Sequence, residues 1–188
     1  KDQDLGTRIT IDGGTFNECI PFGAAPGTTI EVKELFYNTP ARRKFLKTAR
    51  TETTKIQDIV GKLALGNINI SFKLMVDGKV SIMTPGNGDL MDAITALYGY
   101  NTREDIFPVA YEADHIFIEG AVSKPTLIKS TRIWQTVIVN NRVISDRAIS
   151  KAIDTAYHAL LPKTGFPLVV LNIVVPPDMV DINVHPRK

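Results

Sequence analysis

The succession of strand signals interrupted by helix signals along this chain predicts a mixed α+β fold. Three observations carry that prediction. Asp77-Gly78 and Asn140-Asn141 each stand between two apolar runs, and pairs that tolerate positive φ at such places mark tight two-residue hairpins. Apolar residues recur at helical spacing from Thr54 to Leu65, from Asp89 to Tyr98 and from Ser145 to Tyr157. Leu168 to Val175 is apolar almost throughout, as in a strand buried on both faces.

Taken in order, Arg8-Ile9-Thr10-Ile11 alternates weakly, Asp12-Gly13-Gly14 is a hairpin turn signal, and a second strand runs from Phe16 to Ile20. Pro21 to Pro26 reads as a loop leading to Gly27-Thr28. Ile30 and Val32 alternate with Glu31 and Lys33, and Leu35-Phe36-Tyr37 continue them, which predicts a strand closed by Asn38-Thr39-Pro40. Thr39 is placed to cap a helix with Pro40 at its first position, and Ala41 to Leu46 carries three adjacent cations, Arg42, Arg43 and Lys44. Ile56, Ile59, Val60, Leu63 and Ala64 form the predicted buried stripe of the next helix, which Gly66-Asn67 ends. Ile68 to Val76 and Lys79 to Thr84 are its following strands. Asp89 caps a helix that Gly99 terminates, and Val109 to Ser123 holds a central strand at Ile116–Val122. Ile133 to Val139 and Arg142-Val143-Ile144 are the next pair. A helix starting at Ser145 or Asp146 buries Ile149, Ile153 and Tyr157, and Val180, Ile182 and Val184 alternate along a last strand. Trp134, Phe117 and Cys19 read as buried side chains.

Composition narrows the function classes. The chain has 188 residues, 44% of them hydrophobic, enough for a real core, and a net charge of only +2, so a nucleic-acid surface would need local clustering. Its single cysteine excludes a disulfide within the chain and a cysteine-based zinc site, and suits a reducing cytoplasm. The three histidines are dispersed, without metal-ligand spacing. With no apolar run of about 18 residues and no basic-then-apolar leader, neither membrane insertion nor secretion is expected.

GTTIEVKELFYNTPARRKFL, residues 27–46, resembles the fourth ATP-site motif of MutL-type DNA mismatch repair proteins, members of the GHKL ATPase superfamily. VDINVHPRK, residues 180–188, looks like the same family's VDVNVHPxK segment, and QTVIVNNR, residues 135–142, like its QxxFVNGR strand, with Asn141 where glycine is usual. Asparagine is the mildest such replacement, because it tolerates positive φ better than other non-glycine residues. The resemblance implies two domains: residues 1–50 as the last part of a GHKL ATP-binding domain, and residues 51–188 as a transducer similar to ribosomal protein S5 domain 2, with a largely antiparallel sheet and helices on one face. The family's catalytic glutamate, magnesium-binding asparagine, adenine-binding aspartate and glycine-rich lid have no counterpart in these residues. No catalytic residue and no bound cofactor are therefore expected here, while ATP and Mg²⁺ belong to the parent protein.

Within that resemblance, Gly27, Thr28 and Lys188 are the nucleotide-facing residues, with Lys188 as a compact charge for the γ-phosphate. Its other reading is a terminal lysine beside a chain-end carboxylate. Arg43, Lys44, Lys62, Arg142 and Arg147 are the candidates for contact with the backbone of double- or single-stranded DNA, since phosphate recognition needs cations gathered on one surface. Solvated surface charge is the plainer alternative for each. Arg42, directly after a proline corner, reads as a brace for the turn. His185, Asp181 and Asn183 read as loop-bonding groups. The family further implies a homodimeric parent, MutS, and a downstream nuclease or helicase as partners. Other readings are a transducer of a type II topoisomerase and an S5-like RNA-binding module.

Overall fold

The computed structural model describes residues 5–162 and 165–179. The chain divides into two compact units, Lys1–Glu52 and Thr53–Lys188.

In the first unit, β1 (Gly6–Asp12) and β2 (Thr15–Phe22) form an antiparallel hairpin. Its turn requires glycine: Gly13 and Gly14 sit at φ 57° and 92°. The predicted strand through Ile30 and Val32 does not form. A strand is held by a neighbouring ladder and a covered face; among the described residues this segment has neither, and Ile30 is 82% exposed. Helix α1 (Pro40–Arg43) is shorter than expected, and Thr39 does not cap it through its side chain; the backbone N–H groups of Arg42 and Arg43 donate to the Thr39 carbonyl instead. Cys19, expected to be buried, is exposed.

Helix α2 (Ala49–Gly66) starts earlier than its apolar stripe predicts, because Thr48 Oγ1 accepts from the Thr51 N–H and the Glu52 carboxylate accepts from the Lys47 N–H. Its buried face keeps Ala64 of the expected stripe but is otherwise rotated from it. Gly61, Ala64 and Leu65 are buried while Ile56, Ile59 and Leu63 are exposed, because Leu97 of the next helix lies against Gly61 and Leu65 packs into the cluster with Ala93, Ile94 and Ile138. The hairpin of β3 (Lys73–Val76) and β4 (Lys79–Met83) turns at Asp77-Gly78 with φ 48° and 75°, as predicted. Asp89 accepts from the Asp92 N–H at 3.0 Å to cap α3 (Leu90–Tyr98).

The main sheet of the second unit has five strands: β5 (Ile106–Ala113), β6 (Ile116–Ser123), β7 (Gln135–Val139), β8 (Arg142–Ile144) and β9 (Val169–Val174), in the spatial order β5-β6-β9-β7-β8. Sequence reading placed one strand where β5 and β6 form a hairpin; its turn residues, Asp114 and His115, both adopt positive φ. Among the described strands only β7 and β9 pair in parallel, and the crossover that parallel pairing needs is supplied by α4 (Arg147–Tyr157). The fold is thus α+β on a mixed, largely antiparallel sheet.

Both faces of that sheet are covered, which corrects the expectation of helices on one face. Alternating side chains of β7 and β9 divide between two clusters. Ile138 and Val170 pack with Leu65 of α2 and Ala93 and Ile94 of α3. Val137 and Val169 pack with Ile149, Ile153 and Tyr157 of α4. Leu168, Val169 and Val170 are consequently almost wholly buried. Trp134 is partly buried against the first cluster, whereas Phe117, expected in the core, is 46% exposed.

Candidate nucleic-acid interface

Arg142 opens β8 directly after the Asn140-Asn141 turn, where φ of 45° and 66° allows the tight hairpin that asparagine tolerates. The Asn140 side chain ties this turn to the end of β9: its Nδ2 donates to the Val175 carbonyl at 3.0 Å and its Oδ1 accepts from the Val175 N–H at 3.1 Å. Cross-strand partners share a sheet face, and Arg142 is opposite Val139, which packs toward α4. Val143, next along, approaches Gly66 of α2 on the other face. Arg142 therefore lies on the α4 side of the sheet and is exposed.

Arg147 is the first residue of α4. Three contacts set the pose of that helix. Asp146 caps it by accepting from the Ile149 N–H at 2.9 Å, and the Tyr157 hydroxyl donates to the Ser123 carbonyl at 2.5 Å. Partial burial raises the Tyr157 pKa. The third contact is a bidentate pair: both terminal nitrogens of Arg132 donate to the Asp154 carboxylate, at 2.7 and 2.6 Å. With Ile149, Ile153 and Tyr157 turned to the sheet, Arg147 and, one turn on, Lys151 occupy the exposed side. Arg142, Arg147 and Lys151 have no ion pair among the described residues. Sequence reading did not single out Lys151; its place four residues after Arg147 was the available signal.

The other predicted cations are placed differently. Lys62 lies on α2, which covers the opposite face of the sheet, and its ammonium donates to Asp58 at 2.8 Å, so its charge is offset locally. Arg43 ends α1 and Lys44 follows it, both exposed in the first unit, as is Arg42; none of them has an ion pair among the described residues. Among the described residues Arg42 shows no side-chain contact of the bracing kind expected, and its backbone N–H, donating to the Thr39 carbonyl, holds the turn instead.

Of the residues expected to face a nucleotide, Gly27 stands at φ 140° with open space where a Cβ would project, a conformation only glycine adopts easily. Thr28 beside it is exposed and without a side-chain hydrogen bond among the described residues. A free backbone and a free hydroxyl fit a phosphate acceptor. Lys188, with Asp181, Asn183 and His185, lies outside the described residues. Among those described there is no group of three or more His, Cys, Asp or Glu able to hold a metal ion, and no helix is long and apolar enough to cross a membrane.

Residues 94–188 match the family model described as DNA mismatch repair protein, C-terminal domain. The chain is 37% identical over its full 188 residues to the DNA mismatch repair protein MutL of Desulforamulus reducens and 44% identical over 186 residues to that of Listeria monocytogenes. It spans only 29% and 31% of the lengths of these two curated relatives. Among solved structures it resembles the N-terminal domain of a DNA repair protein, at 23% identity and a TM-score of 0.82, over 97% of this chain and 61% of that one. It also resembles the Aquifex aeolicus MutL ATPase domain complexed with ADP, at 25% identity and a TM-score of 0.73, over 93% of this chain and 64% of that one. With the mixed sheet and the matched motifs, these likenesses place the chain in the MutL family of DNA mismatch repair proteins.

Proposed function

We propose that residues 51–188 form the transducer of a MutL mismatch repair ATPase, which couples nucleotide state to engagement of the DNA backbone, and that residues 1–50 belong to the adjoining ATP-binding domain. The observation that carries the DNA half is the common placement of Arg142 and Arg147 on the α4 side of the sheet, exposed and without ion pairs among the described residues. Cations so placed release condensed counterions when they meet phosphates, which gives affinity without base reading. Arg43 and Lys44 form a second, smaller group in the first unit, and Lys62 contributes least because Asp58 already neutralises it.

The nucleotide half rests on Gly27 and Thr28, whose open backbone and hydroxyl suit a phosphate, and on Lys188 as the sensor of the γ-phosphate. A lysine ammonium that meets the terminal phosphate favours the closed arrangement only while that phosphate is present, the logic of phosphate switches in general. ATP with Mg²⁺ supplies that phosphate in the parent protein. MutS, a downstream nuclease or helicase, and a second copy of the parent are the partners of this reading, in the bacterial cytoplasm.

Anisotropy titration of duplex DNA across a salt series, with Arg147→Glu alongside, tests the DNA half. Binding should weaken steeply with salt and be strongly reduced in the variant. Equal binding by the variant, or a preference for structured RNA over duplex DNA, would overturn it. For the nucleotide half, Lys188→Ala in the ATPase-competent parent should impair ATP-driven closure; unchanged turnover and closure would sink the sensor role.

A further inference from the structure

We propose that Lys151 is a third phosphate contact of this surface, and that a nucleic-acid backbone runs along the solvent face of α4 instead of meeting the helix at its N-terminus. This rests on the reading of Arg142 and Arg147 given above and extends it to the direction in which the strand lies.

Free N–H groups and the helix dipole would make the N-terminus of α4 an anion site, but Asp146 already fills it with a carboxylate that accepts from the Ile149 N–H. A phosphate arriving there would meet like charge. Along the helix the charges are of the other kind. Arg147 and Lys151 are four residues apart, so their Cβ atoms are about 5–6 Å from each other on one face. Long side chains at that spacing can reach neighbouring phosphates of one strand. The exposed positions beside them are Ala148, Ala152 and Thr155, small and uncharged, which leaves room for close approach.

The acids of α4 do not compete. Asp154 is held by both nitrogens of Arg132, and Asp146 is held at the cap. Arg142, on the same side of the sheet at its β8 edge, extends the basic surface beyond the helix start. The three cations thus belong to one side of the second unit, and all three are exposed.

The test is a salt series of anisotropy titrations with labelled duplex DNA, comparing wild type with Lys151→Ala, Lys151→Arg, Arg147→Ala and Lys79→Ala, thermal melts confirming that each folds. Lys151→Ala should lower the slope of log affinity against log salt by about 0.9, which makes the loss between 50 and 200 mM salt about threefold smaller. Lys151→Arg should restore the slope, and Lys79→Ala, on the β3–β4 hairpin, should leave it unchanged. A wild-type slope in Lys151→Ala with a reduced one in Arg147→Ala would overturn this proposal while the DNA reading stands. A slope that falls equally in Lys79→Ala would overturn it as well, by showing only diffuse charge. No salt-dependent binding by wild type would sink both.

Discussion

The two units carry similar apolar alternation but meet different fates. The β1–β2 hairpin sets Ile9, Ile11 and Phe16 into a strand pair, yet none of residues 5–52 is buried. In the second unit the sheet is covered on both faces, and Ile94, Leu168, Val169 and Val170 are almost wholly removed from water. Pairing differs too, one antiparallel pair against a five-stranded mixed sheet, but it is the covered face that takes side chains out of water. A two-stranded hairpin without such cover is marginal in water, whereas a sheet whose faces are packed by helices holds a core.

Amide hydrogen exchange would show that contrast most strongly. Amides of β9 paired on both sides should exchange only on global opening, while those of β1 and β2 should exchange orders of magnitude faster. Comparable protection in the two would break the comparison. Next in size, Ile94→Ala should destabilise the protein by about 2–5 kcal/mol in chemical denaturation, through lost transfer energy and a cavity. Ile30→Ser, at an exposed site of the first unit, should change stability by less than about 0.5 kcal/mol in the same measurement.

Asp146→Ala should cost about 1 kcal/mol by removing the α4 cap, with Asp146→Asn recovering most of it. The smallest effect concerns pH. The Asn87 amide, then Arg103, hold the Asp92 carboxyl below its ordinary range. A carboxyl depressed on folding adds stability that is present above its unfolded value and lost as pH falls through the folded one. The gap in denaturation midpoint between wild type and Asp92→Asn should therefore narrow on acidification through the carboxylate range. A gap independent of pH would show that Asp92 serves only as a hydrogen-bonding group.

Much of this architecture was legible because its signals are local. Asp77-Gly78 and Asn140-Asn141 make their turns with the positive φ that those residue types tolerate, and Asp89 and Asp146 cap their helices through side chains adjacent in sequence. The conformation at Gly27 is of this kind too, since it depends on the absence of a Cβ. Motif likeness of residues 27–46 and 135–142 led to the family for a similar reason: those residues are contiguous.

What needed the tertiary structure is everything decided by a distant partner. Ile30 and Val32 alternate as a strand should, but alternation cannot supply a neighbour to pair with. Periodicity gathers Ile56, Ile59, Val60, Leu63 and Ala64 of α2 on one stripe; packing against the sheet and α3 keeps Ala64, adds Gly61 and Leu65, and leaves Ile56, Ile59 and Leu63 exposed. The parallel pairing of β7 with β9, and with it the placement of α4 on the far face from α2, joins residues separated by a crossover. The basic surface follows from that step. By itself the sequence determined which residues are cations, which turns are tight and where two helices begin. Only the fold decided that Arg142, Arg147 and Lys151 share a side while Lys62 sits with Asp58 across the sheet, because charge clustering between elements depends on which sheet face each helix covers.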